Sequence, residues 1–487
     1  MSNYRPTIGL EIHVELKTRT KMFCGCLNDP SEKHPNVNVC PVCLGHPGTL
    51  PTANKQAIEY VIKVGLALGG KINPVSKFDR KNYFYPDLPK GYQISQYDQP
   101  IVLGGNLNGV RIRRIHLEED TGRLLHDEKG VTLVDFNRAG VPLMELVTEP
   151  DIKSGEEALA FAKELQLILR YLHVSDADME KGQMRVEANV SVSKMAHSAS
   201  SGQTPSEFGT KVELKNINSF RAAGGAIAYE LKRQEEVLES GGKVEQETRG
   251  WDDAKQETIS QRSKEEAHDY RYFPEPDLPA FETSVFGIEN LKISIPELPK
   301  EKRIRLASEY SLNEKQVGVL VEDMALAQYF EEASSELKAL SAKADPKAIL
   351  NYLTSDLLGL MNTEKLVFAD LKIEPEHLAH LVFLIESGKI GSRQAKDILR
   401  RMFETGLDPE EILESEGLHT ISDEAELKGV VQEVIKENPT ALADYKKGKT
   451  ASLQFLVGQA MKKLKGRGNP EVLAKIFEKN LPRTLER

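Results

Sequence analysis

The sequence predicts an α+β chain in three parts: a strand-rich region over 1–295, a helical domain over 296–410 and a helical tail domain over 411–487. Three observations carry that expectation. Short segments of two-residue alternation dominate the first part. Apolar stripes at helical spacing take over after Ile293-Ser-Ile-Pro-Glu-Leu-Pro299, and Gly and Pro punctuate the junctions. At 487 residues the chain also exceeds what a single hydrophobic core serves.

The first strand is the most telling. From Gly9 to Leu16, alternation puts Leu10, Ile12, Val14 and Leu16 on one face and Glu11, His13 and Glu15 on the other. The pattern recurs with Arg185, Glu187, Asn189 and Ser191 against Val186, Ala188, Val190 and Val192, and with Lys211, Glu213 and Lys215 against Val212 and Leu214. One such strand is explained by a solvated sheet face. Three together argue for a surface that offers acids, amides and bases to a ligand. Carboxylates beside an imidazole suit a hard cation such as Mg²⁺ or Mn²⁺, and Lys and Arg suit the phosphates such a cation escorts. Helices are expected near 54–68, 155–173 and 220–240, with turns at Gly104-Gly105-Asn106 and Pro86-Asp87 and an exposed Ser-rich loop over 197–206.

Gly65-Leu-Ala-Leu-Gly-Gly70-Lys71 has the spacing of a phosphate-binding P-loop, but Ile72 stands where Ser or Thr must ligate Mg²⁺. The segment before it reads as a helix, whereas a P-loop follows a strand. The match is rejected.

All four cysteines fall together as Cys24-x-Cys26 and Cys40-x-x-Cys43. Paired thiols with short spacing fit tetrahedral zinc, and four thiolates leave no open position for a substrate, so a structural Zn²⁺ is expected. His34 and His46 are near enough to be spare ligands.

In the helical part, Ile349, Tyr352, Leu353, Leu357, Leu360 and Met361 keep one stripe, residues 378–385 end at Gly388, and Ser392 is placed as the cap of a helix that stops at Gly406. The tail should carry helices over about 427–436, 442–465 and 469–480. Residues 440–487 hold eight Lys and three Arg against four acids, a net of +7, within a chain of net charge −10. The cluster Lys446, Lys447, Lys449, Lys462, Lys463, Lys465 and Arg467 is therefore a candidate contact for a phosphate backbone. The overall acidity argues against a protein that coats nucleic acid. No apolar run approaches the length of a membrane span, and the opening Met-Ser-Asn-Tyr-Arg-Pro lacks a secretory core, so a cytoplasmic chain is expected.

Residues 78–100 form the densest aromatic and charged segment, Phe-Asp-Arg-Lys-Asn-Tyr-Phe-Tyr-Pro-Asp-Leu-Pro-Lys-Gly-Tyr-Gln-Ile-Ser-Gln-Tyr-Asp-Gln-Pro. With His116-Leu-Glu-Glu-Asp120, Asp135-Phe-Asn-Arg-Ala-Gly-Val-Pro-Leu143, Glu213-Leu-Lys-Asn216 and Asp269-Tyr-Arg-Tyr-Phe-Pro-Glu-Pro-Asp-Leu-Pro279, the chain resembles the B subunits of the glutamyl-tRNA(Gln)/aspartyl-tRNA(Asn) amidotransferases over essentially its whole length.

The resemblance implies a mixed or antiparallel-sheet cradle similar to the catalytic domain of glutamine synthetase, a helical domain and a helical tRNA-binding tail. It implies ATP-dependent phosphorylation of the side-chain carboxylate of Glu-tRNA(Gln) or Asp-tRNA(Asn), then displacement of phosphate by ammonia. Mg²⁺ would fall to Glu11, His13, an acid of the Glu118 and Glu119 pair, Glu149 and Glu213, with Glu11, His13 and Glu213 the catalytic candidates. Lys77, Arg80, Lys81 and Lys90 are candidates for phosphate or tRNA 3′-end contacts, and Tyr83, Phe84 and Tyr85 for stacking the terminal adenine, although core packing accounts for Phe84 equally well. With every Cys assigned to metal and no Gly-Gly-Ser-Ser amidase signature, ammonia must come from elsewhere. By resemblance it arrives from an amidase A subunit, held together with this chain by a small C subunit. Two rivals are a free-standing glutamine-synthetase-like ligase acting on free glutamate and a non-catalytic zinc- and tRNA-binding adaptor. The first leaves the basic tail without a task, and the second leaves the carboxylate face without one.

Overall fold

The computed structural model describes residues 3–126, 130–195, 208–263, 270–416, 424–446, 449–464, 468 and 470–481. The chain forms two compact units, 1–301 and 302–487. The described residues carry the expected α+β architecture, with strands in the first unit and helices throughout the second. The Ser-rich loop at 197–206 lies outside the described residues.

The strands of the first unit are β1 (Tyr4–Glu15), β2 (Lys71–Ile72), β3 (Val75–Ser76), β4 (Asp79–Asn82), β5 (Tyr92–Ser95), β6 (Val102–Leu103), β7 (Asn106–Leu107), β8 (Val110–Glu119), β9 (Arg123–His126), β10 (Thr132–Asp135), β11 (Pro142–Thr148), β12 (Met184–Lys194), β13 (Val212–Lys215), β14 (Glu247–Asp252), β15 (Glu257–Ser263), β16 (Phe273–Pro274) and β17 (Phe281–Glu282). The main sheet runs β15-β14-β13-β12-β1-β11-β8-β6-β2, with β7 paired to β8. Its neighbours are antiparallel except for the parallel β13 and β14. A three-stranded sheet, β16-β4-β5, adds a second layer of pairing.

Alternation decides what each face does. Leu10, Ile12 and Val14, the flanking Met144 and Leu146, and Val186, Ala188 and Val190 are buried in the main core. Three helices share that core: α1 (Lys55–Ala67), α2 (Gly155–Tyr171) and α3 (Phe220–Glu239). Each begins where a side chain accepts from the first free amides: Asn54 from Ala57, Ser154 from Glu157 and Ser219 from Ala222. Glu156 and Glu157 also sit in the first turn of α2, where acids favour the helix dipole. The segment before Gly69-Gly70 is the helix α1, as the rejection of a P-loop requires.

The second unit matches its expected stripes with three adjustments. Ile349, Leu353, Leu357 and Met361 are buried at a spacing of four because Tyr352–Leu357 winds as a π-helix, which leaves Tyr352 and Leu360 half-buried. Ser392 is the first residue of the helix Ser392–Thr405 and Gly391 takes the cap position without a side-chain bond. The helix expected over 442–465 is two, Pro439–Lys446 and Thr450–Lys463, with Lys449 extended between them at φ −75, ψ 101. Leu427, Val431, Leu456, Leu473 and Phe477 belong to one apolar cluster of residues 427–481. No helix among the described residues is long and apolar enough to cross a membrane.

Candidate functional site

The face of the main sheet opposite the helices is polar along several strands, and register fixes which residues meet. His13 lies opposite Glu145 on β11 and Arg185 on β12, Glu11 opposite Glu187, and Glu145 opposite His116 on β8. The His13 Nε2 is 3.4 Å from Glu145, 3.7 Å from Glu118 and 3.9 Å from Glu11. On the far side of Glu145, His116 Nε2 is 3.3 Å away. Glu11, His13 and Glu145 bring one ligand atom each within 4.8 Å of one another, and so do His116, Glu118 and Glu145.

Electrostatics at this cluster invite a cation. Burial and the Glu145 charge raise the Glu11 carboxyl above its ordinary range. Glu145 is held well below it, since the charge and hydrogen bond of His116 and the hydrogen bond of His13 outweigh its burial. Burial would strip His13 of its proton, but Glu145, Glu118 and Glu187 overcome that and push the imidazole up to about 9. His13 Nδ1 and Asn189 Oδ1 are buried with no hydrogen-bond partner among the described residues. Crowded carboxylates, an imidazole and unsatisfied polar atoms fit a hard dication.

The other expected ligands are placed differently. Glu213 shares the face but is held by the Thr248 hydroxyl at 3.0 Å and Lys215 at 3.5 Å, and it joins neither tight cluster. Glu119, one residue on from Glu118, points to the opposite face, where Lys90 lies 2.6 Å away and the Ile94 amide donates at 2.9 Å. Glu149 follows β11, four residues beyond Glu145 along the chain, and pairs with Arg113 at 3.0 Å, the residue that the register irregularity inserts into β8 opposite Val147 and Thr148. Sequence pattern does not single out Glu145 and His116 as ligands. The signal for Glu145 is a lone acid within the otherwise apolar Pro142-Leu-Met-Glu-Leu-Val, and for His116 its two-residue spacing from Glu118.

Among the basic candidates only Lys81 faces the cluster. Its charge is stabilised by Glu118, then by Tyr272 and Glu145, against the cost of burial, which holds its pKa above the ordinary lysine range. Arg80, on the alternate face of β4, makes a bidentate pair with Glu275 at 2.7 and 2.8 Å over the Tyr92 ring. Lys77 is taken by Asp98 at 3.0 Å and Asp79 at 3.2 Å. Tyr83, Tyr270 and Tyr272 form an edge-to-face series beside Lys81, and Tyr97 stacks on Tyr272 at 4.4 Å. Phe84 is 92 % exposed, so core packing does not account for it, and Tyr85 is exposed as well.

The cysteines gather from two short turns. The Thr20–Leu27 bridge folds Cys24 and Cys26 back on the chain, and the Leu44 and Gly45 amides close a turn on Cys40 and Val42. The four Sγ atoms lie within 4.8 Å of one another, with Cys40 and Cys43 3.9 Å apart. Zinc–sulfur bonds of ~2.3 Å in a tetrahedron require sulfurs roughly 3.8 Å apart, so the donor set and its spacing fit Zn²⁺. The Cys43 thiol is lowered to about 5, chiefly by a hydrogen bond from Cys24, with the Cys40 amide and Lys21 assisting against burial. His34 is exposed and bound to Glu32 at 2.9 Å, and His46 is not needed to complete the set.

The profile of a family described as the GatB/GatE catalytic domain matches residues 6–287, and that of a GatB domain matches residues 328–481. The chain is 48% identical over 492 residues to the B subunit of the aspartyl/glutamyl-tRNA(Asn/Gln) amidotransferase from Brevibacillus brevis, with 99% of each chain covered. It is 47% identical over 498 residues to the protein of that name from Dehalococcoides mccartyi, again covering 99% of each, and 45% identical over 486 residues to that of Persephonella marina, covering 98% of this chain and 99% of the relative.

Proposed function

The chain belongs to the GatB/GatE family of amidotransferase B subunits, and from that premise we propose that it carries the kinase and amidation site of a tRNA-dependent amidotransferase. The reaction is ATP-dependent phosphorylation of the side-chain carboxylate of Glu-tRNA(Gln), Asp-tRNA(Asn) or both, followed by attack of ammonia to give the amide. The observation that supports this reading best is the His13, Glu11, Glu145 and Glu118 cluster beneath Lys81 on one sheet face.

A carboxylate oxygen is a poor leaving group, so ammonia cannot displace it until it is converted to phosphate. Glu11, His13 and Glu145, with Glu118 beside them, are the residues that would hold Mg²⁺; when bound, the ion neutralises charge on the ATP phosphates. Lys81 offers an ammonium to the negative charge that develops on the transferring group, beside the rings of Tyr83 and Tyr270. The same tyrosines offer faces for a nucleobase, and Phe84 and Tyr85 offer exposed ones. The four cysteines hold structural Zn²⁺ and do no chemistry. Ammonia comes from glutamine hydrolysed by an amidase A subunit, with a small C subunit completing a heterotrimer.

The test is ATP hydrolysis by the assembled complex with and without Glu-tRNA(Gln), and separately with Asp-tRNA(Asn). Turnover stimulated by the misacylated tRNA is the expected result. Stimulation by free glutamate alone would instead identify a free-standing ligase, and a complex that binds tRNA without turning over ATP would be an adaptor.

A further inference from the structure

Lys21 is among the largest completely buried side chains in the protein, at 0% exposure. Among the described residues it has no carboxylate in ion-pair reach. Its Nζ donates to the Phe136 carbonyl at 3.2 Å and lies 3.9 Å from Cys43 Sγ. A lysine is almost never fully buried unless its charge is paired, and among the described residues the acidic group its Nζ reaches is the Cys43 thiol. Four thiolates around a dication leave a net charge of −2, and Cys43, the sulfur that faces Lys21, is the buried one of the four, so its charge is the one most in need of a counter-charge.

We propose that Lys21 is a positioning residue of the cysteine centre: its ammonium supplies the counter-charge of a tetrathiolate-bound dication and ties that centre to the loop over 136–141. The inference rests on reading the cysteines as a metal site. Gly140 packs on Cys43 Cβ and Lys21 Cδ, each 3.6 Å from where its own Cβ would stand, and its carbonyl accepts from the Met22 amide at 2.7 Å. The turn between the cysteine pairs clasps the same loop: Asn36 accepts from the Phe136 amide at 2.8 Å, and Asn137 bonds the His34 carbonyl and the Asn38 amide. Arg138 then reaches Asp120, which also receives Arg185, the residue paired with His13 across β1 and β12. The metal centre thus holds one edge of the acidic face in place without touching substrate.

The experiment compares wild type, Lys21→Met and Lys21→Arg in the full chain, by competition with a chromophoric chelator for Zn²⁺ and by the sulfur-to-metal absorption of the Co²⁺ form. Lys21→Met should keep the tetrathiolate cobalt spectrum while losing ~10–100-fold in metal affinity, the usual scale for an outer-shell partner, and Lys21→Arg should recover most of it. Wild-type affinity in Lys21→Met overturns the role of Lys21. Failure of the wild type to take up either metal overturns the metal reading itself and the inference with it. Should Lys21→Met not fold, hydrogen exchange on the wild type decides: stripping the metal should speed exchange of the amides over 136–141, and unchanged exchange would overturn the tether.

Discussion

Glu145 and Glu119 are both buried acids on paired strands, yet their neighbours give them opposite tasks. Glu119 is neutralised by Lys90 and the Ile94 amide, whereas Glu145 is balanced by two imidazoles, Arg114 at 3.8 Å and the charge of Lys81, all facing the acidic cluster. Glu145→Gln, which keeps the shape and removes the charge, should therefore weaken Mn²⁺ binding and tRNA-dependent ATP turnover by at least the ~10–100-fold that an outer-shell partner is worth. Glu149→Gln, which breaks only the exposed pair with Arg113, should leave both near wild type. Equal losses in titrations of the two variants would remove the distinction. Glu15 yields a second expectation. Burial and the neighbouring Asp120 push its carboxyl up to about 8, despite Arg138 and Arg185. The native state then keeps a proton that the unfolded chain releases above about 4.5, so stability is full below that value and declines as pH rises toward 8. Glu15→Gln should flatten the pH profile of the thermal midpoint in that window, where the wild type loses at most ~1.4 kcal/mol per pH unit. Parallel profiles would exclude the effect.

Elements meet where side chains allow it, and the contact of α2 with α3 has little room. A Cβ on Gly155 would stand 2.5 Å from the Gly224 carbonyl oxygen, so backbone must shift to admit it. Gly155→Ala should lower stability by ~1–3 kcal/mol, as overpacking does. Gly318, inside the helix Glu314–Glu322, has nothing within 4 Å of the same position. Gly318→Ala should raise stability by up to ~1 kcal/mol through helix propensity alone. Calorimetry of the two variants gives opposite signs if packing, not propensity, governs the first site.

Charge is distributed unevenly over the whole molecule, with net +7 in residues 440–487 and −17 in the rest. Lys463 is bound to Glu433 and Glu437 and Lys449 to Asp444, while Lys447, Lys465 and Arg467 lie outside the described residues. Lys446 and Lys462 are exposed and form no ion pair among the described residues. Replacing both by Ala should weaken aminoacyl-tRNA binding to the complex and reduce its salt slope by about 1–2, while Lys463→Ala changes the slope less. Deleting 440–487 is the poorer test, since Leu456, Leu473 and Phe477 share a core with Leu427 and Val431. Equal slopes in wild type and the double variant would place tRNA recognition elsewhere.

What the sequence determined by itself was local or periodic. Alternation in residues 9–16 assigned Glu11 and His13 to a polar face and Leu10 and Ile12 to the core, apolar period and punctuation located α1, α2 and α3 within two residues, and thiol spacing located the cysteine cluster. Tertiary structure decided which strands lie beside one another and at what register. Pairing of β1 with β11 set Glu145 against His13 although 132 positions separate them, and an extra residue in β8 at the register shift brought Arg113 to Glu149. Face alternation separated Glu118 from Glu119 and Lys81 from Arg80, but only the partners across the sheet showed which face was the acidic site. The physical reason is the short range of sequence signals: periodicity specifies the side a residue faces, whereas the charge balance of a buried group is set by whatever distant chain is packed against it.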